Sequence, residues 1–132
     1  MTPVNVARML VRASGVLLVV LGLLFWLGDL RSLIPIHMLL GIVLVVSLWA
    51  LAFLGARAGV SKGLVAGAVV VGLLTAWLGS AQSTLLPDPS VHWIIQVAHL
   101  VLGMAAIGLG EAIGARATRT ESGALEGRVS QV

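Results

Sequence analysis

The chain has 132 residues, of which 59% are hydrophobic and 10% are charged, and its mean hydropathy is +1.11. Ordinary soluble domains are about 45–50% apolar and about 25% charged, so this composition indicates an integral membrane protein. The absence of cysteine excludes disulfides, thiolate ligands and iron–sulfur clusters. The basic residues that give a formal charge of +3 are spread beside hydrophobic segments, which argues against nucleic acid as a partner.

Four apolar segments reach the length of roughly 20 residues that a helix needs to cross a lipid bilayer. In chain order they are residues 9–28, 33–55, 64–84 and 91–115. The first segment lacks a small-residue cleavage site and is therefore expected to be a retained helix. Because the connections between segments are short, residues 1–117 are predicted to form an antiparallel four-helix transmembrane bundle. The polar residues 118–132 are expected to form a flexible cytoplasmic tail.

The basic residues predict an orientation in the membrane. Most of them flank the same ends of the predicted spans, and they are Arg8, Arg12, Arg57, Lys62, Arg116, Arg119 and Arg128. Lysine and arginine favour the cytoplasmic side, so both termini are expected to face the cytoplasm of a bacterial-type plasma membrane. Trp26, Trp77 and Trp93 fall near the opposite face, where an aromatic belt is expected.

The two halves of the chain resemble each other. The segment "GLLFWLG" (22–28) is similar to "GLLTAWLG" (72–79), and "HMLLG" (37–41) matches "HLVLG" (99–103). The order of these segments and the orientation of their helices agree. The pattern therefore predicts two similar helical hairpins in parallel arrangement.

His37 and His99 occupy matching positions in the second helix of each predicted hairpin. Counted back from Arg57 and Arg116 at 1.5 Å per residue, they lie about 30 Å and about 25 Å from the cytoplasmic ends, in the outer part of the bilayer. Two imidazoles that approach one gap from different helices can act as axial ligands of a haem iron. Gly41 and Gly103 lie one turn further along the same helix faces, where a larger side chain would collide with the macrocycle.

Other interpretations of these residues remain open at this point. The two histidines are also compatible with helix packing, interfacial hydrogen bonding, another metal or a proton relay. His92 lies at the expected water interface, where it is a surface residue or contacts a haem propionate or a quinone. Arg31 can bind a propionate or pair with Asp29 or Asp88. Glu111 is expected to pair with Arg57, Lys62 or Arg116.

Paired histidines on different helices, each followed by a nearby glycine, resemble the small membrane b-type cytochromes. This resemblance covers the helices and the two "H-x-x-x-G" sites (37–41 and 99–103). It implies one haem b with His37 and His99 as axial ligands, and single-electron transfer as a quinol-linked carrier or as a subunit of a larger redox complex. Two-haem members of this group need four ligands, and the chain has three histidines.

A different class of function is also compatible with the sequence. A cofactor-free accessory subunit would pack against a larger membrane complex and stabilise it, and a homo-oligomer is compatible with either function. A small multidrug exporter is disfavoured because the first span has no acidic residue before Asp29. A stand-alone hydrolase or transferase is disfavoured because no nucleophile has a base at helical spacing.

Overall fold

A computed structural model describes residues 1–28 and 30–130 of the chain, apart from the side chain of residue 121. Within these residues all regular structure is helical, with a 3-10 turn at Arg31–Leu33. The α-helices are α1 (Pro3–Leu27), α2 (Ile34–Arg57), α3 (Lys62–Ala81) and α4 (Trp93–Val129). All four are long and apolar enough to cross a membrane, which is compatible with a multi-pass membrane protein.

Helix α1 begins six residues before the predicted span, at Pro3. The Thr2 side chain accepts a hydrogen bond from the Asn5 backbone N–H at 3.3 Å and so caps the helix. Pro3 suits the first helical position because its ring fixes φ and the missing N–H would have no helical partner there. Arg8 and Arg12 therefore lie within α1, one turn apart.

Helix α4 extends beyond its predicted span, through Val129, and residues 131–132 lie outside the described part of the chain. The segment predicted to be a flexible tail, 118–132, is therefore helical as far as Val129, and its flexibility stays a prediction. The sequence after Pro89 contains no proline that would interrupt the helix. The hydroxyls of Thr118 and Thr120 donate to carbonyls one turn back, at 2.9 Å and 3.2 Å, which satisfies both side chains on the helix itself.

Helices α2 and α4 contact each other, and α1 and α3 each contact both of them. Glycines permit the close approach of backbones at these crossings. A Cβ atom at Gly15 would lie 2.6 Å from the Ile107 side chain, and one at Gly110 would lie 2.8 Å from Val11. The small residues of the chain are thus used for helix packing between α1 and α4.

Burial is uneven along the helices. The fully buried residues of α1, α2 and α4 all belong to what we call the core half, which comprises residues 3–15, 44–57 and 106–117. In the histidine half, which comprises residues 16–27, 34–43 and 93–105, no described residue is fully buried. Burial is therefore greater at one end of α1, α2 and α4 than at the other, whereas α3 has buried residues from Ala68 to Leu78, next to Gly79.

The connection between α3 and α4 is a compact polar turn. The Ser90 hydroxyl and backbone N–H donate to the Asp88 carboxylate at 2.7 Å and 2.9 Å. These hydrogen bonds stabilise the charged form and lower the pKa of Asp88 below its ordinary value. In the same turn Leu86 has φ +44°, a left-handed conformation that non-glycine residues adopt at some cost.

Candidate functional site

The side chains of His37 and His99 meet in the histidine half. His37 lies near the start of α2 and His99 near the start of α4, and their ring centroids are 6.3 Å apart with an angle of 49° between the planes. Both residues are half-buried, and the Nδ1 atom of each ring is fully buried without a hydrogen-bond partner. Leaving a buried polar atom unpaired costs about 1–3 kcal/mol, so two such atoms at one place need an explanation.

Each histidine ring lies against the helix that precedes its own. The His37 ring contacts Phe25 of α1, with 5.3 Å between ring centroids, and a Cβ at Gly22 would lie 3.9 Å from its Cε1 atom. The His99 ring lies against α3, where a Cβ at Gly79 would be only 2.8 Å from Cε1. The absence of a side chain at Gly79 is therefore what allows His99 to take this position.

The glycines beside the rings differ from the two that the sequence predicted for the site. A Cβ at Gly41 or Gly103 would meet no atom within 4 Å, so both positions border open space. The glycines in contact with the rings are Gly22 and Gly79, which the sequence analysis did not assign to the site. The repeated "WLG" at 26–28 and 77–79 does not identify them, because it matches Gly79 with Gly28, which contacts neither ring.

The other predicted site residues lie apart from the ring pair. His92 precedes the first residue of α4, and its Nδ1 atom donates to the Leu86 carbonyl at 3.2 Å, which ties it to the connection after α3. Arg31 lies in the 3-10 turn before α2. Of the three histidines, only His37 and His99 share a site.

The predicted partners of Glu111 are wrong. Its carboxylate pairs with Arg8 at 2.8 Å and with Arg12, both on α1, instead of with Arg57, Lys62 or Arg116. The reason is the early start of α1, which places two arginines one turn apart on the helix face toward α4. This ion-paired cluster lies in the core half, well separated along the helices from the histidines.

The ring pair has the donor set of a two-ligand metal site. In the described residues no group of three or more His, Asp or Glu side chains is placed to hold a metal ion. Imidazole nitrogen binds metals at about 2.0–2.1 Å, so two rings on opposite sides of one iron would have centroids roughly 6–6.5 Å apart. The observed 6.3 Å lies within this range, and it also lies within the roughly 4.5–7 Å of ordinary packed ring pairs. Either imidazole nitrogen can ligate, and a metal would satisfy the unpaired Nδ1 atoms.

Comparison of the chain with family models, with curated proteins and with solved structures finds no match. The most specific feature of the described residues is the approach of the His37 and His99 rings, each with a buried and unpaired Nδ1 atom.

Proposed function

We propose that this protein is a membrane b-type cytochrome that holds one haem b between His37 and His99. The observation that carries the proposal is the approach of two imidazoles from different helices, 6.3 Å apart, with a buried and unpaired Nδ1 atom on each. When bound between such ligands, haem iron accepts and releases single electrons. The chain would then serve in electron transfer and not as a stand-alone enzyme.

The residues around the rings have defined roles in this proposal. His37 and His99 would hold the iron through their imidazole nitrogen atoms. Phe25 packs against the His37 ring and restricts its rotation, and Gly79 admits the His99 ring. Gly41 and Gly103 leave room for the edge of a flat macrocycle, because a Cβ there would meet nothing within 4 Å. The lower burial of the histidine half fits a region that accommodates a planar group between helices.

Two further residues are assigned to the rim of the site. Arg31 lies in the turn before α2, and a guanidinium can donate two parallel hydrogen bonds to a carboxylate. Arg31 is therefore proposed to bind a haem propionate. His92 is assigned to the interface with water rather than to the iron, because its Nδ1 donates to the Leu86 carbonyl. A quinone binding near this rim would be the natural electron donor in the membrane.

The proposal includes a topology. We place the four helices as an antiparallel bundle of two similar hairpins in a bacterial-type plasma membrane, with both termini cytoplasmic and the haem near the outer face. Support comes from the buried cluster in which Val4 and Val11 of α1 join Leu48 of α2 and Ile113 of α4. The exposed positions of Trp26, Trp77 and Trp93 fit an aromatic belt at the other face.

The partners follow from what the chain does not itself contain. The described helices offer one candidate cofactor site, between α2 and α4. The second half of the redox reaction would therefore be supplied by a quinol, by a larger respiratory or photosynthetic membrane complex, or by other copies in a homo-oligomer.

The decisive experiment is an optical spectrum of protein purified from cells that make ample haem. The proposal predicts a Soret band that shifts, and resolved α and β bands that appear, on reduction with dithionite. Extracted pigment should be non-covalent haem b at one equivalent per chain. A colourless protein under these conditions would contradict the proposal and favour a cofactor-free accessory subunit.

Replacing the ligands tests the assignment of residues. His37→Ala and His99→Ala should each lower the haem content at least tenfold, because either change removes one of two axial bonds. His92→Ala is the matched control and should keep the haem content and the spectrum of the unmodified protein. Full retention of haem in both ligand variants would contradict the assignment, and its loss in the His92 variant would make His92 a ligand.

A further inference from the structure

The cluster of Arg8, Arg12 and Glu111 contains two positively charged side chains and only one negatively charged side chain. Arg8 donates to Glu111 Oε2 from Nε at 3.0 Å and from Nη2 at 2.8 Å. Arg12 donates from Nε to Oε1 and from Nη2 to Oε2, at 2.5 Å and 2.6 Å. A single carboxylate thus faces two guanidinium groups, and the cluster has a net charge of +1.

Arg12 has hydrogen-bonding capacity left over. A guanidinium has five N–H donors, and Arg12 commits one from Nε and one from Nη2 to Glu111, so three remain. Its side chain is 58% exposed, against 24% for Arg8. The ion pair with Glu111 therefore holds the Arg12 guanidinium in place while part of it faces outward.

An apolar groove adjoins Arg12 on the outer surface of α1. It is shallow and widely open, and its lining, all from α1, is formed by Arg12 together with Met9, Ala13, Val16 and Leu17. The lining residues follow one another along the sequence at intervals of three positions or one, which places them on one face of α1. The groove therefore runs along the helix axis. Ala13 forms its floor because the side chains on either side are longer.

We propose that Arg12 and this groove bind an anionic phospholipid, with the phosphate on the guanidinium and one acyl chain along Ala13, Val16 and Leu17. A phosphate diester would bring the charge of the cluster from +1 to zero, and the guanidinium fork matches its oxygen atoms. Arg12 lies fourteen residues, or about 21 Å, from Trp26 near the other end of α1, short of the roughly 30 Å of a hydrocarbon core, so its guanidinium meets a lipid phosphate by extending along its side chain toward the membrane surface. This site is independent of the proposed haem site.

The test measures lipid selectivity of the full chain in phosphatidylcholine vesicles. Spin-labelled phosphatidylglycerol and spin-labelled phosphatidylcholine are added in separate samples, and the motionally restricted fraction of each is read from the electron paramagnetic resonance spectrum. The unmodified protein should restrict phosphatidylglycerol at least threefold more strongly. Arg12→Gln should reduce this ratio to near one. Arg116→Gln is the matched control, since Arg116 is exposed and donates only to its own helix carbonyl at Ala112, and it should keep the ratio.

Two further variants separate the charge from the groove. Ala13→Leu fills the groove without altering any charge or burying a polar group, and it should also reduce the ratio to near one. Ala76→Leu, on the exposed face of α3, is its control. Glu111→Gln leaves both guanidinium groups unneutralised and should raise the ratio above that of the unmodified protein.

The following results would overturn the proposal. If Arg12→Gln keeps the lipid ratio of the unmodified protein, the Arg12 guanidinium does not bind the phosphate. If Arg12→Gln and Arg116→Gln lower the ratio equally, the selectivity depends on the net charge of the protein and not on a site at Arg12. If Ala13→Leu leaves the lipid selectivity unchanged, the groove does not bind the acyl chain. Because Ala13→Leu leaves the ion pairs intact, the test remains decisive even if Arg12→Gln fails to fold, as circular dichroism would reveal.

Discussion

Gly79 sets how closely the His99 ring approaches α3. An added Cβ would lie 2.8 Å from Cε1 of that ring, which is closer than real Cβ contacts allow. Gly22 faces His37 in a comparable way, but there the distance to Cε1 would be 3.9 Å, an ordinary van der Waals contact. The two glycines therefore form a matched pair with different expected sensitivity.

We predict that Gly79→Ala displaces the His99 ring, whereas Gly22→Ala leaves the His37 ring in place. The measurement is the imidazole ¹⁵N chemical shift of each histidine in protein free of haem, so the result does not depend on the proposed cofactor. The overpacking is expected to cost about 1–3 kcal/mol if the ring cannot move away. Equal shifts in the two variants would contradict the contact geometry described above.

The sequence allowed part of this site to be predicted. The matching flanks of His37 and His99 predicted that both rings face one gap, and the rings do lie together; their role as ligands stays a prediction. The contact with Gly79 could not be predicted, because it depends on the rotation of α3 about its axis. The partners of Glu111 were missed because Arg8 and Arg12 lower local hydropathy, which hid the true start of α1.

The turn between α2 and α3 is closed by a Schellman motif. The Gly59 backbone N–H donates to the Ala56 carbonyl at 3.2 Å, and the Val60 N–H donates to the Gly55 carbonyl at 2.9 Å. Gly59 has φ +79°, which other residues adopt only with strain. Val60 is buried next to Gly55, so the turn also closes one end of the core.

We predict that Gly59→Ala lowers the free energy of unfolding by about 1 kcal/mol, because the left-handed backbone disfavours a Cβ. A Cβ at Gly59 would meet nothing within 4 Å, so the cost arises from the backbone alone. Gly63→Ala, in the first turn of α3 and equally free of contacts, should be neutral or slightly stabilising. Reversible unfolding in mixed detergent micelles checks the difference. A smaller loss in Gly59→Ala than in Gly63→Ala would contradict it.

Helix α4 shows where hydropathy patterns stop being informative. At 1.5 Å per residue its 37 residues extend about 55 Å, nearly twice the thickness of a hydrocarbon core. The apolar pattern ends near residue 115, and the polar composition beyond it suggested an unstructured segment. A polar helix and a polar coil have similar hydropathy and differ in helix-breaking residues and in backbone hydrogen bonds. Composition alone therefore could not show whether this segment is a helix or a coil.

The four helices and their approximate positions followed from apolar segment length, but their mutual arrangement did not. Periodicity hardly distinguishes the faces of helices that are apolar all round, as α2 is between Ile42 and Ala56. Which residues become buried is therefore decided by small contacts such as Gly55 against Ile113. For the same reason the difference in burial between the core half and the histidine half was not predictable.

The proposed antiparallel topology can be tested because the chain contains no cysteine of its own. We predict that a cysteine replacing Ser61, between α2 and α3, reacts with a membrane-impermeant maleimide only from the cytoplasmic side of vesicles. A cysteine replacing Ser83, after α3, should react only from the other side. Both serines are exposed and lie outside the helices, so labelling should be rapid. Labelling of both from one side would contradict the topology.

Uneven packing along the helices makes the gap between the histidines responsive to the lipid environment. Leu48 is fully enclosed, whereas His37 lies eleven residues, or about 16 Å, closer to the loosely packed end of α2. Helices adjust to bilayer thickness largely by tilting. Because one end of α2 is held by close contacts, a tilt of about 5° would move the other end by about 1.4 Å over that length. Bilayer thickness is thereby coupled to the spacing of the two imidazoles, and a change in acyl-chain length is expected to change the distance between their rings.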